Sequence, residues 1–371
     1  MQRRTFLKTT AALSSIAVLT PSFAFAKEET NPFGITSKPR RFSVTNNYSL
    51  KPSQEITQLW VPLPKDESYH KVVSFTYEGN FAEAKVVKNE YNTRVLYVKW
   101  DKSDKKSELV INFDVIMQER TTNFSKATSS ADYPSDVQVY LEGTAHIPVT
   151  AGLTKYAKEI TKGATTPLQK AQAIYDWTVT TMYRDDSVIG CGIGDAKKAI
   201  EEKIYGGKCT DISSVFACLL RNSGIPSREV FGIRVGQSKI SNACGKADEK
   251  GFAKITGAQH CRSEFYIDGL GWVPADPADV TKVRLSEKLT NEDKKIKDVK
   301  KYFFGSWEMN WVAFNSARDF VLNPKPTQYP LNMLGYPYAE VGEDPLDYYD
   351  AKTFEYSYTS VESVWENIIY R

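Results

Sequence analysis

From Arg41 to about Arg120 the chain alternates apolar and polar residues with a period of two. Leu109, Ile111, Phe113, Val115 and Met117 fall on one face of a strand, and Leu96, Val98 and Trp100 alternate in another. FSVTNNYSL, ITQLWVPLP and VVSFTYEG read as further strands parted by polar turns. Short alternating strands in series predict an antiparallel sandwich or small barrel, here an all-β domain over residues 41–145. It carries no catalytic constellation and reads as a structural or substrate-positioning module.

After Tyr140 the period lengthens. Leu153 to Ile160 gives a short helix, and Pro167 opens a longer one, PLQKAQAIYDWTVTTMY, in the first-turn position that proline favours. Its apolar stripe is Ala171, Ile174, Trp177, Val179 and Met182. In GGKCTDISSVFACLLRNSGIP, residues 206–226, Ile212, Val215, Phe216, Leu219 and Leu220 recur at three- and four-residue steps. Gly224 stands where a left-handed cap is wanted, and Pro226 bars continuation. Further on, QHCRSEFYI and WVPAD flank a D-G-L-G turn and read as a hairpin. KLTNEDKKIKDVKKYF is a charged helix. Trp307, Trp311 and Phe314 follow at helix-like steps as core residues, and the turn-rich tail wraps onto the core. The domains read as residues 146–285 for a core and 286–371 for an extension packing on it.

The amino terminus changes the compartment. MQRRTFLK, an apolar run from Ala11 to Leu19 and a closing Ala24-Phe25-Ala26 make residues 1–26 a secretory signal, too short for a membrane span of about 20 residues. The paired arginines resemble a bacterial twin-arginine signal, which implies a periplasmic or otherwise exported product. Residues 27–40 read as a linker. Cleavage removes three basic residues and no acids, taking the formal charge from +3 to 0. A neutral chain has no bulk electrostatic reason to hold nucleic acid or an anionic membrane. No further apolar run is long enough to span a bilayer.

Five cysteines, 191, 209, 218, 244 and 261, leave at least one thiol free in a monomer. With no C-x-x-C and only His70, His146 and His260, the spacing argues against a structural zinc site, and no cofactor or metal is expected. Cys218 lies on the apolar face of its helix, and Cys191 and Cys244, in glycine-containing loops, are the best pair for a disulfide. Cys209 sits in the first turn of its helix, where unsatisfied N–H groups and the helix dipole favour a thiolate and can hold an oxyanion. On the hairpin, His260, Arg262 and Glu264 share one face, and folding about the turn places Asp276 roughly opposite Arg262, beside or diagonal to His260. A carboxylate there fixes the tautomer of the imidazole, so Cys209, His260 and Asp276 compose a nucleophile, base and orienting acid.

Residues 150–280 resemble the transglutaminase-like superfamily, whose core has G-x-C-x-D, an apolar helix and GIP-x-R-x-V, as in GGKCTDISSVFACLLRNSGIPSREVFGIRVG. HCRSEFYIDGLGWVPADP is similar to its later H-x-x-x-E-x-Y-x-x-G-x-G-W-x-x-x-D-P, and the segment with WVPLP is similar to the amino-terminal domain of bacterial members. The resemblance implies an α+β fold, a papain-like core with the nucleophile helix packed on an antiparallel sheet, preceded by the β-sandwich-like domain. It implies Cys209 as nucleophile, His260 as base and Asp276 as its partner. Many members carry an aromatic residue two places after the histidine; here Arg262 stands there, a candidate to touch substrate or to pair with Glu264. Tyr183 is the candidate second oxyanion donor, ahead of Trp177, and Asp211 favours the helix start. The expected activity is a cysteine-dependent amide or peptide hydrolase or acyltransferase working through a thioester on a protein or peptide substrate, periplasmic or cell-wall, with hydrolysis favoured. The alternatives are a cross-linking transglutaminase and a catalytically silent binding protein of the same fold.

Overall fold

The computed structural model describes residues 32–35, 38–328 and 330–363. The signal segment, with its twin-arginine motif, and half of the 27–40 linker lie outside the described residues. The alternating segments form two five-stranded antiparallel sheets. One holds, in order, Phe252–Lys254, Tyr356–Ser363, Arg40–Leu50, Ser107–Met117 and His70–Gly79. The other holds Asp344–Pro345, Tyr338–Val341, Thr57–Pro62, Arg94–Trp100 and Glu83–Lys88. Phe42 and Val44 of the first and Leu59, Val61, Leu96 and Val98 of the second belong to one buried cluster with Leu109, Ile111 and Phe113. The two inner faces thus supply a sandwich core.

A four-stranded antiparallel sheet, in the order Gly271–Ala275, Gln259–Ile267, Ser227–Arg234 and Trp311–Asn315, carries the second half. The Cys209–Arg221 helix packs on it, burying Ile212, Val215, Phe216, Leu219 and Leu220. Behind it runs Pro167–Thr181, opened by a capping box between Thr166 and Gln169. The fold is therefore α+β, a helix-on-sheet core joined to a β-sandwich. No helix among the described residues is long and apolar enough to cross a membrane.

The carboxy-terminal third departs from its sequence reading. Trp311–Asn315 is a strand of the core sheet, not a helix, and Trp307, Trp311 and Phe314 are all buried. Every residue of that strand is buried, so it shows no alternation to reveal its period. The tail does not merely wrap the core: Tyr338–Val341 pairs with Thr57–Pro62, and Tyr356–Ser363 with Arg40–Leu50.

The two halves are also pinned by charge. Glu264 takes Arg120 at 2.5 Å on one oxygen and Arg228 at 2.6 Å on the other. The Arg120 guanidinium lies 4.2 Å from the ring centres of both Tyr69 and Trp307, and that of Arg228 lies 4.0 Å from Trp272. Arg120 belongs to the segment leaving the sandwich and Glu264 to the core sheet, so the carboxylate staples one to the other.

Candidate active site

Three chain segments converge on Cys209. The first is the helix start. Asp211 accepts from the Lys208 N–H at 2.9 Å and the Gly194 N–H at 2.8 Å, tying the glycine loop 190–194 to the first turn. This crowding explains the glycines. A β-carbon on Gly207 would lie 2.5 Å from the Asp211 β-carbon, and one on Gly192 would lie 1.9 Å from its carboxylate. Gly207→Ala is expected to cost about 1–3 kcal/mol, the usual penalty of overpacking, measured as a lower denaturation midpoint.

The second segment is the loop, which brings Cys191 to the helix: the Thr210 N–H donates to the Cys191 carbonyl at 2.9 Å. The third is the Gln259–Ile267 strand, which brings Cys261. The sulfurs of Cys191, Cys209 and Cys261 all lie within 4.8 Å of one another. All five cysteines are unbridged. The expected Cys191–Cys244 disulfide is thus overturned: the loop carries Cys191 to the nucleophile helix, whereas the Cys244 carbonyl accepts from Asn310 elsewhere. Three thiols with a soft, shared site are also the donor set that a thiophilic cation takes, while His260, Asp276 and Asp279, which also converge, are already engaged with Arg234 and Arg262.

Within the hairpin, Ser263 pairs with Ala275, so Asp276 falls across from Arg262. His260 Nε2 lies 2.8 Å from Asp276 Oδ2. The other oxygen of Asp276 accepts the Asp279 N–H at 2.9 Å and caps the Pro277–Ser286 helix. With Nε2 so occupied, the remaining ring nitrogen is the one left for the thiol, and His260 lies close enough to Cys209 to favour its thiolate. Arg262 is 1 % exposed. Its Nε lies 3.2 Å from Asp276 Oδ2, its Nη1 donates to the Glu308 carbonyl at 3.1 Å, and its plane lies 4.9 Å from the Trp311 ring. It does not line the cleft over Cys209, and Glu264 pairs with Arg120 and Arg228 instead. The substrate contact expected of it gives way to support of Asp276, because its strand face turns inward beneath the two tryptophans.

The electrostatics favour charge separation. The Cys209 thiol is held well below the usual cysteine range: hydrogen bonds from Cys191 and then Cys261 favour its thiolate, burial opposes them, and His260 adds a hydrogen bond and its charge. Cys191 is pushed up, first by its bond to Cys209, and Cys261 by burial, so of the three thiols Cys209 is the one favoured as thiolate. For His260, burial and Arg234 act downward, but Asp279 and Asp276 outweigh them and raise it.

Cys209 and His260 line a cleft of about 280 Å³ with Cys191, Gln259, Tyr336 and Tyr349 among its walls. Tyr183 is not among them. It is 55 % exposed and lies over Gly206, because Tyr183–Arg184 runs parallel to Gly206–Gly207 and strand alternation turns Arg184, not Tyr183, into the cleft. Trp177 packs edge-to-face on Tyr156 and Tyr205 and is also absent from the walls.

The sequence profile of the transglutaminase-like superfamily matches residues 154–277, a span that holds Cys191, Cys209, Gln259, His260 and Asp276. The chain belongs to the transglutaminase-like superfamily. A relative of uncharacterised function from Haemophilus influenzae is 43 % identical over 363 residues, covering 94 % of this chain and 98 % of its own. A crystal structure from Cytophaga hutchinsonii, described as that of a candidate cysteine protease, superposes with a TM-score of 0.53 at 13 % identity, covering 88 % of this chain and 89 % of that one. The periplasmic domain of TgpA from Pseudomonas aeruginosa matches at a TM-score of 0.35 and 13 % identity, over 71 % of this chain and 94 % of that domain. In this transglutaminase-like chain the residue that sequence reasoning passed over is Gln259. It is buried, lines the cleft, and neither atom of its amide has a partner. Its place two before Cys261 puts it on the strand face that looks towards Cys209, a signal available from the alternation alone.

Proposed function

We propose that the chain is an exported cysteine hydrolase that cleaves an amide through a thioester on Cys209. One observation carries the reading. His260 has one ring nitrogen on the Asp276 carboxylate and lines the same cleft as the Cys209 thiol, whose thiolate it favours, at the start of a helix. The thiolate attacks the amide carbonyl, forming the carbon–sulfur bond of a tetrahedral adduct. The Cys209 N–H, which has no intrahelical acceptor by its position in the first turn, faces the oxyanion together with the free Gln259 amide. Collapse of the adduct breaks the carbon–nitrogen bond, and His260 gives its proton to the departing amine. His260 then takes a proton from water, which attacks the thioester and releases the acid and the thiolate. The export reading rests on MQRRTFLK and the segment after it. Water is favoured as acceptor over an amine because Arg184, Lys208, Gln259 and Lys282 give the cleft charged and polar walls that water can wet.

The pH dependence of alkylation by iodoacetamide tests this, with mass spectrometry to locate the label. Preferential labelling of Cys209 well below pH 8, weakened in His260→Ala, is the expected result. A Cys209 that titrates as an ordinary thiol of pKa ~8.5 would falsify the reading. Gln259→Ala is expected to lower kcat by about 10²–10³ with KM little changed, since an oxyanion donor acts in the transition state. An effect confined to KM would instead make Gln259 a binding residue.

A further inference from the structure

Arg184, Lys208, Arg234 and Lys282 all line the cleft over Cys209, and no aspartate or glutamate does. Their charges are not equally spent. Arg234 is paired with the buried Asp279, and Arg184 reaches Asp186, an acid 68 % exposed to water. Lys208 and Lys282 take part in none of the ion pairs among the described residues, all of which are formed by other side chains.

The layer beneath does not offset them. Asp276 and Asp279 are answered there by Arg234, Arg262 and the His260 imidazolium, and the surplus charge of that set is cancelled by a Cys209 thiolate. Two ammonium groups therefore remain beside the nucleophile without a carboxylate in direct ion-pair contact, Asp279 acting on Lys282 and Asp185 on Lys208 only from a distance. Lys282 carries the signature of that strain: burial, followed by the nearby Arg234, brings it down to about 8. Tyr336, Tyr349 and Tyr356 complete the lining without adding charge.

Resting on the thioester reading above, we propose that the cleft selects a peptide acyl donor bearing a carboxylate beside the amide under attack, held by Lys208 and Lys282. A same-sign cleft with low-dielectric walls concentrates counter-charged ligands. The anion would supply the contacting partner that neither lysine has, and would offset the crowding of Lys282 against Arg234.

Two reagents that differ only in charge test this on the mature full chain. Iodoacetate and iodoacetamide both alkylate a thiolate by displacement of iodide, one as an anion and one neutral. The ratio of their rates at Cys209, divided by the same ratio for glutathione, is expected to be about tenfold or more at low ionic strength and to fall with salt. Lys282→Met and Lys208→Met should each lower the ratio severalfold, the double variant should abolish it, and Lys282→Arg should keep it. A ratio equal to that of glutathione, or one indifferent to both lysines, overturns the inference while leaving the thioester reading intact. Ordinary or absent reactivity toward iodoacetamide overturns the thioester reading, and this inference with it. Three peptide thioesters then locate the carboxylate: one with an acidic side chain and an amidated end, one with a free terminal carboxylate, and one with neither. The faster of the first two names the source, and equality of all three overturns the proposal.

Discussion

Asp276→Asn is expected to quench the low-pH reactivity of Cys209 and to destabilise the fold at the same time. Oδ2 of Asp276 faces both His260 Nε2 at 2.8 Å and Arg262 Nε at 3.2 Å. An amide in its place removes the charge that favours the imidazolium and permits the wrong tautomer, a change worth about 10⁴ in turnover in other triads. His260 is raised in part by Asp276, so the variant narrows from above the pH window in which thiolate and imidazolium coexist. Each unit by which the thiol pKa climbs removes about a factor of ten from the thiolate present below it. The iodoacetamide profile should therefore lose its low-pH shoulder and revert to a single rise near that of a free thiol. The buried Arg262 is left without its carboxylate, a loss of about 3–5 kcal/mol seen as a lower unfolding midpoint. A variant with an unchanged alkylation profile would remove Asp276 from the chemistry and leave it only as the cap of the Pro277–Ser286 helix.

The second large effect is expected far from the thiol. Glu264→Gln leaves the half-buried Arg120 and Arg228 against aromatic rings with no anion between them. Breaking such an arrangement from one side costs about 3–5 kcal/mol, a drop in Tm of roughly 5–10 °C for a protein of this size. The linkage has a definite sign. Burial alone would raise the Glu264 carboxyl, but Arg120 and Arg228 outweigh it and hold it down to about 2. A carboxyl depressed on folding contributes stability that is complete above its unfolded value near 4.3 and is lost as pH falls through about 2. Between pH 5 and pH 2 the wild-type protein should lose stability faster than Glu264→Gln, and the two curves should converge in acid. Parallel curves would show that the carboxylate adds nothing to the staple.

How much of this was legible depends on the range of the interactions involved. The Cys209–Arg221 helix announces itself by Ile212, Val215, Phe216, Leu219 and Leu220, because its period and its Gly224-Ile225-Pro226 stop are local. The sandwich strands are equally plain, since one face is buried and the other is not, as along Ser107–Met117. Trp311–Asn315 was misread because a strand buried on both sides has no period, and chance put its aromatics at helical steps. Around the thiol, the facing of His260 and Asp276 followed from a hairpin with a two-sided register. Arg262 and Tyr183 did not follow, because whether a face turns into a cleft or under a tryptophan is decided by distant segments. Cys191 was beyond reach for the same reason, its place being set by a loop tied to Asp211.

Both sheets of the sandwich close only when Tyr338–Val341 and Tyr356–Ser363 are in place, and Tyr349, Ala351 and Tyr356 wall the cleft. On the ribosome, these residues emerge after Cys209, His260 and Asp276. A nascent chain that has already made Cys209, His260 and Asp276 still lacks Trp311–Asn315 of the core sheet, the carboxy-terminal strands of both sandwich sheets and one side of its reaction chamber. Pairing residue 44 with residue 360 makes for slow, late closure, as contacts so remote in sequence must wait for the whole intervening loop. The nucleophile is thus assembled early and housed last, so an unfinished polypeptide carries the thiol without the cleft.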